Sequence, residues 1–227
     1  MTTTRHHSVE TRERILRVAE RMFPERGYDG TSVRDITTEA DCNVASVNYH
    51  FGGKDGLYVE AFRHLLQQLR NRRIETIRTG MEAAGDGASL EMFLQLFADS
   101  FLEPLLEEGR GRMLMTFMDR EMQNAHLPRE VFFGELIRPL MAYTSEVLQQ
   151  VAGPMHGLTA RMCLMSLVGQ LVHILKAQQV FSDGIGIEMV PHDLRDHVRH
   201  FVLFSAAGVR AVAAVDAGRL TEIEKES

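Results

Sequence analysis

Residues 31–57 read TSVRDITTEADCNVASVNYHFGGKDGL, and this stretch gives the clearest indication of how the N-terminal part of the chain folds. Ser32 and Asp35 have the Ser-x-x-Asp spacing of a capping box, in which each residue satisfies a backbone donor of the other. A short helix is therefore predicted over about 32–40.

A second short helix is predicted over about 44–50, after the three-residue turn Asp41-Cys42-Asn43. Gly52 and Gly53 end it. Apolar residues can hold the two helices together: Ile36, Ala40, Cys42, Val44 and Val47. Two short helices joined in this way predict a helix-turn-helix, whose second helix projects and can enter the major groove of DNA.

The outward positions of the second helix carry small or hydrogen-bonding residues. They are Asn43, Ala45, Ser46, Asn48 and Tyr49. Such residues can reach base edges and phosphates. The pattern alone is equally compatible with a plain three-helix corner that has a polar outer face.

The rest of the chain predicts an all-α fold, because apolar residues recur at spacings of three and four and rarely alternate. Further helices are expected at about 8–27, 54–80, 90–107, 110–124, 128–152, 157–181 and 191–217, which makes about nine in all. Pro139 falls inside one of them and should kink it. We expect a head over residues 1–54 and a larger helical body over residues 55–227.

The composition is that of a globular protein with a core. The chain has 227 residues, of which 44% are hydrophobic and 25% charged, so disorder is excluded as the main state. Two cysteines suit a reducing cytosol, and no uninterrupted apolar run of membrane-spanning length is present. We therefore expect a cytoplasmic protein without a membrane span.

The sequence offers no pattern for catalysis or for a metal. It has no Gly-rich phosphate loop, no CxxC pair and no Ser-His-Asp ordering. His192, His197 and His200 lie near one another, but without matching cysteines they make a weak metal site. We expect no enzyme activity, no cofactor and no metal.

The charge is distributed unevenly. The net charge is −6, and residues 1–56 hold eight Lys or Arg against nine Asp or Glu. A surplus of arginine lies within residues 1–21 and at Arg63, Arg70, Arg72, Arg73 and Arg78. The second group either adds to a DNA-binding face or forms a solvated helix face.

The sequence of residues 31–57, together with the preceding segment from Arg14 to Tyr28, resembles the DNA-binding head of TetR/AcrR-family regulators. The resemblance implies phosphate contacts from Thr31, Ser32 and Arg34 and base contacts from Asn43, Ala45, Ser46 and Asn48. It further implies backbone contacts from Tyr49, His50 and Lys54. His50 has an alternative role in holding the junction with the next helix. Many members carry Gly in place of Ala45 and Tyr in place of Asn48, which leaves base preference open.

The body resembles the C-terminal domain of CecR-type regulators. The resemblance is carried by residues 119–122, 137–139, 166–170 and 204–208, with His197 and Phe201. A head with one short recognition helix contacts only a few base pairs, and two heads on one operator raise affinity and specificity. We therefore expect a homodimer on a palindromic DNA operator.

The helices at 157–181 and 191–217 are apolar on more than one face, and a helix of this kind must bury both faces. We expect a dimer interface at Met165, Val168, Leu171, Val172, Phe201, Phe204, Gly208 and Val212. The alternative is that both faces are internal core.

An effector pocket is predicted from a group of Phe and Met residues with two arginines, because Met adapts to ligand shape. It comprises Phe93, Phe97, Phe101, Met115, Met118, Arg120, Met122 and Arg138. Each apolar member is equally compatible with core packing. Arg120, Glu121 and Arg138 either orient a polar ligand group or pair with each other.

The sequence therefore predicts a ligand-responsive, DNA-binding transcription regulator, a repressor that a small-molecule effector releases from DNA. The alternative is a helical enzyme or a small-molecule-binding protein whose head makes protein contacts only.

Overall fold

The computed structural model describes the backbone of residues 2–106, 126–182 and 194–226, and side chains within 8–103, 126–174 and 195–218. The described elements are helices, and no strand occurs among these residues. The predicted all-α fold is confirmed. The helix predicted at 110–124 lies outside the described residues.

The helices follow the predicted order. They are α1 (Thr2–Arg26), α2 (Val33–Glu39), α3 (Val44–Phe51), α4 (Lys54–Ala84), α5 (Leu90–Leu106), α6 (Arg129–Phe132), α7 (Arg138–Ala152), α8 (Gly157–Ser182) and α9 (Leu194–Glu226). The largest differences from prediction are at the chain ends, where α1 begins and α9 finishes several residues further out. Polar residues dominate both extensions, so apolar periodicity could not detect them.

The chain divides into two compact units. Unit 1 comprises Met1–Asn71 and Pro104–Arg138, and unit 2 comprises Arg72–Glu103 and Pro139–Ser227. The long helix α4 contributes to both units. The predicted boundary at about residue 54 separates a DNA-binding head from an effector-binding body, whereas the two units are separated by their packing. The predicted division stays a prediction.

The core of unit 1 is built from α1 to α4. Its buried apolar side chains include Ile15, Ala19, Phe23, Ile36, Val47, Leu57, Tyr58, Phe62 and Leu66. The Tyr58 ring lies edge-on to Phe23, with centroids 4.9 Å apart, and 4.8 Å from the Phe62 ring. Burying a side chain of this size stabilises the fold by about 1.5–3 kcal/mol, so these contacts fix α1 against the shorter helices.

The helix predicted over 128–152 is interrupted near Pro139. Residues Phe133–Ile137 form a π-helical segment between α6 and α7. Proline has no backbone N–H, so it cannot donate to the carbonyl of Glu135 four residues earlier. The Arg70 Nη1 atom donates to that carbonyl at 3.0 Å.

Unit 2 has a separate core formed by α5, α7, α8 and α9 with the end of α4. Its members include Ile77, Phe93, Phe97, Leu148, Leu164, Leu167, Leu171, Phe201 and Val209. The Phe93 and Phe97 rings lie 5.8 Å apart, within range of a favourable aromatic pair.

Two helices of unit 2 carry windows long and apolar enough to cross a membrane, Gly157–Ile174 in α8 and Arg195–Gly218 in α9. Of these windows, 22% and 33% are buried. Length and composition are weak evidence, since a core helix passes the same test. Most residues of each window are not buried, so α8 and α9 expose much apolar surface.

Gly56 in α4 is required by the close approach of α4 to the end of α3. A Cβ atom added at Gly56 would lie 1.8 Å from the carbonyl oxygen of Phe51. We expect Gly56→Ala to lower the free energy of unfolding by about 1–3 kcal/mol, measured by urea denaturation. Gly87→Ala is the control, since nothing lies within 4 Å of its added Cβ. Equal stability of the two variants would contradict this packing.

Candidate nucleic-acid interface

The first helix of the helix-turn-helix begins with the predicted capping box. The Ser32 hydroxyl accepts a hydrogen bond from the Asp35 backbone N–H at 3.1 Å and donates to the Asp35 carboxylate at 2.6 Å. The Ser32 backbone N–H also donates to that carboxylate. These bonds hold the pKa of Asp35 below its ordinary value. Ser32 is exposed, and its side chain fixes the start of α2.

The turn between α2 and α3 depends on one unusual backbone conformation. Asp41 adopts a left-handed φ of 49°. The next N–H, of Cys42, then donates to the Thr37 carbonyl at 3.0 Å. Arg14 donates to the Asp41 carbonyl at 3.3 Å. Asn43 ends the turn as the N-cap of α3, because its Oδ1 atom accepts from the Ala45 N–H at 2.8 Å.

Helix α3 is anchored by one buried side chain, Val47, and ends at Gly52, whose φ is 75°. Asn43, Ala45, Asn48 and Tyr49 are exposed, and Tyr49 is 82% exposed. Ser46 and His50 are half-buried. Most of the predicted base-reading positions therefore lie on one accessible, largely uncharged surface.

Thr31 does not belong to this surface, which corrects the sequence prediction. Its side chain is fully buried. Its hydroxyl lies 2.9 Å from the Gly27 carbonyl oxygen and 3.3 Å from that of Met22. Thr31 therefore fastens the connection between α1 and α2, and its hydroxyl is not available to a phosphate.

Lys54 is held by an aromatic residue that sequence reasoning did not assign to the site. The Lys54 Nζ atom lies 4.0 Å from the centroid of the Tyr28 ring, a cation–π contact. The Tyr28 hydroxyl donates to the Asp55 carboxylate, and the His126 ring stacks on Tyr28 at 4.6 Å. The bond to Asp55 raises the pKa of Tyr28 to about 12.

Most of the arginine surplus on α4 is paired with carboxylates. Arg63 pairs with Glu60 at 2.8 Å and with Glu135 at 3.2 Å. Pairs of this kind join Arg70 to Glu135, Arg72 to Glu103, and Arg78 to Glu75 and Glu82. The interpretation as a solvated face fits Arg72 and Arg78, which are exposed. It is wrong for Arg73, which is buried.

The predicted effector residues divide into three groups. Phe93 and Phe97 are buried in the core of unit 2, and Phe101 is half-buried against it. Arg138 belongs to unit 1 and is exposed. Met115, Met118, Arg120, Glu121 and Met122 lie outside the described residues.

The predicted dimer-interface residues differ in how far they are buried. Met165, Phe204, Gly208 and Val212 are exposed, and Val168 and Val172 are half-buried. Leu171 and Phe201 are instead buried within the core of unit 2, which corrects their assignment. Phe204, Gly208 and Val212 line a groove of about 630 Å³ between α8 and α9, together with Met162 and Cys163, whereas Met165 lies outside it.

Over the described ranges, no group of three or more His, Cys, Asp or Glu side chains is placed to hold a metal ion. His192 of the histidine group lies outside them. What the fold presents instead is a capped turn and a short exposed helix, which define the helix-turn-helix class of DNA-binding proteins.

Comparison with known families identifies the particular family. Residues 15–61 match the bacterial regulatory proteins of the tetR family. Residues 90–209 match the C-terminal domain of the HTH-type transcriptional dual regulator CecR. The chain belongs to the TetR family of regulators and has a CecR-like C-terminal domain.

Individual relatives agree. The probable HTH-type transcriptional regulator YttP of Bacillus subtilis is 32% identical over 57% of this chain and 59% of its own length. The HTH-type transcriptional repressor KstR2 of Mycolicibacterium smegmatis is 30% identical over 52% and 53%. This chain thus spans little more than half the length of these relatives.

A solved structure of a TetR-family transcriptional regulator from Mesorhizobium loti has the same fold. It superposes with a TM-score of 0.62, covering 92% of this chain and 97% of that one. The two chains are 21% identical, so the likeness concerns the fold alone.

The hydrogen bond between Tyr28 and Asp55 predicts a pH dependence. Because the pKa of Tyr28 is raised in the folded state from 10.0 to about 12, its contribution to stability is complete below pH 10.0 and is lost as the pH rises towards 12. We expect the stability of Tyr28→Phe to fall less steeply over this interval, measured by denaturation at each pH.

Asp55→Asn provides the control, since it keeps the phenol and removes the carboxylate. Its Tyr28 should ionise closer to the ordinary pKa, which a titration of phenolate absorbance would report. Identical pH profiles for the wild type and Tyr28→Phe would contradict the assignment.

Proposed function

We propose that the protein is a dimeric, ligand-responsive transcription regulator of the bacterial cytoplasm, which represses by binding a palindromic operator and is released by a small-molecule effector. The observation that carries the proposal is the exposed polar surface of α3 on a capped helix-turn-helix. Such a helix can place several side chains against base edges at once.

In this proposal, α3 reads bases and its neighbours hold phosphates. Asn48 is exposed, and an Asn amide can both donate to and accept from adenine. Ala45 and Ser46 lie in the first turn of α3 and Asn43 is its N-cap, so the three can contact the same few base pairs. Phosphate contacts come from Ser32, Arg34, Tyr49, His50 and Lys54.

The distribution of charge supports a binding mode that relies on few phosphate contacts. Arg12 and Arg21 of α1 pair with Glu60 and Glu39. Exposed pairs of this kind contribute about 0–1 kcal/mol to stability, yet each carboxylate lowers the local positive potential. The affinity for DNA should therefore fall less with salt than that of a strongly basic protein.

The small size of the exposed α3 surface supports a dimer. One short helix contacts few base pairs, so two heads on successive major grooves are needed for specificity. The exposed apolar side chains of α8 and α9 supply a surface that a second copy would cover. They are Leu158, Met162, Met165, Phe204, Val212 and Val215.

Release by an effector requires coupling between two sites. A 100-fold loss of operator affinity corresponds to about 2.7 kcal/mol of coupling free energy. By linkage, DNA must weaken effector binding by the same factor. The name of the relative KstR2, a transcriptional repressor, supports repression over activation.

Two substitutions on α3 test the reading surface. We expect Asn48→Ala to cost about 1–3 kcal/mol of operator binding and to relax preference at one base pair. We expect Tyr49→Ala to weaken binding to all sequences alike. The measurement is a mobility shift with the DNA that flanks the protein's own gene.

Asn71→Ala is a matched control, because it removes an exposed amide from α4 rather than from α3. It should bind the operator like the wild type. Unchanged binding after both α3 substitutions would remove α3 from the mechanism.

Phe204→Asp tests the dimer. Phe204 is 63% exposed, so the change leaves the core of unit 2 intact while placing a charge on the apolar surface. We expect the sedimentation equilibrium mass to fall from dimer to monomer and operator affinity to fall with it. Met92→Asp, at an exposed apolar position on α5, should remain dimeric. A wild type that is monomeric at micromolar concentration would disprove the proposal.

A further inference from the structure

Arg73 of α4 is a buried arginine in unit 2. Its residue exposure is 7%. The carbon at the centre of its guanidinium group lies 4.4 Å from the centroid of the Phe101 ring on α5. One helical turn further on, Ile77 is fully buried in the core that also contains Phe97. One face of the guanidinium therefore lies against an aromatic wall.

Among the described residues, no carboxylate forms an ion pair with Arg73, and its Nε atom has no hydrogen-bond partner. The neighbouring arginines differ. Arg72 pairs with Glu103, and Arg78 pairs with Glu75 and Glu82. The pattern is the reverse of the usual one, in which exposed arginines are loosely paired and buried arginines are fully paired.

A buried charge without a counter-ion lowers stability, and a cation–π contact offsets only part of that loss. Burial lowers the pKa of Arg73 to about 10, so the group stays cationic at neutral pH. A group that costs stability in the free protein is explained if a ligand supplies the missing negative charge.

We propose that Arg73 is the anion-binding residue of the effector site, and that the effector combines a carboxylate or phosphate with an apolar body. Arg73 would hold the anionic group, since a guanidinium matches both groups bidentately. The aromatic wall at Phe101 would hold the apolar part. This inference rests on the proposed function, because it assigns the effector to unit 2.

The first test needs no ligand. Arg73→Met keeps a long side chain and removes the buried charge. If Arg73 is kept for a ligand, the full-length variant should melt higher than the wild type by about 3 °C in ligand-free buffer. Arg78→Met removes an exposed, paired arginine from the same helix and should melt at or below the wild-type temperature. A lower melting temperature for Arg73→Met, or its failure to fold, would show a structural role and overturn the proposal.

The second test uses three probes with one apolar chain: octanoate, octyl phosphate and octanamide. We expect at least one of the two anions to raise the melting temperature of the wild type but not of Arg73→Met. Octanamide should raise neither. The anion that acts more strongly distinguishes a carboxylate from a phosphate effector. Equal shifts in both proteins, equal shifts with octanamide, or no shift with either anion would refute the anion site.

Operator binding separates this inference from the proposed function. Arg73→Met should bind operator DNA like the wild type and should resist release by the active anion. If neither protein binds DNA, the proposed function fails, while the melting shifts still decide whether Arg73 binds an anion. If the anion releases both proteins equally, DNA binding stands and the role of Arg73 is refuted.

Discussion

The exposed surface of α3 depends on the burial of Val47, the side chain through which α3 is anchored where it packs on α1 and α2. Helix α3 has eight residues, too few to be stable alone in water, and Val47 is its one buried side chain. Caps at both ends, Asn43 and Gly52, satisfy backbone groups that so short a helix would leave unpaired. Because so little of α3 is used for packing, most of its side chains remain available at the surface.

The charged residues are arranged differently in the two units. In unit 1, carboxylates such as Glu60 and Glu135 neutralise arginines on α1 and α4, which lowers the positive charge of that unit. In unit 2, the buried charge of Arg73 has no such neutraliser among the described residues. The first arrangement limits non-specific attraction to DNA, and the second favours a ligand of opposite charge.

Helices α8 and α9 combine a high hydropathy with exposed apolar side chains. Hydropathy marks both helices as long and apolar enough to cross a membrane, yet their inner faces form the core of unit 2. Their outer faces carry Met165, Phe204 and Val212, which are exposed. Large exposed apolar side chains are typical of a protein interface when they lie together at the surface, as Phe204 and Val212 do along one groove. The dimer proposed above would account for the hydropathy of these helices, because it would bury their outer faces as well.

Local interactions along the chain specify the elements that sequence analysis predicts correctly. Ser32 and Asp35 specify the start of α2, and the glycines after α3 specify its end, because capping and left-handed φ values involve neighbouring residues only. The motif of residues 31–57 was sufficient to indicate the family. Which side chains face inward depends on packing between helices that are distant in sequence. Thr31, Leu171, Phe201 and Arg73 were each assigned to a surface, and each is buried. Helical spacing shows that a helix has an apolar face, but the face that packs is chosen by helices distant in sequence, as α5 does when it covers Arg73 with Phe101.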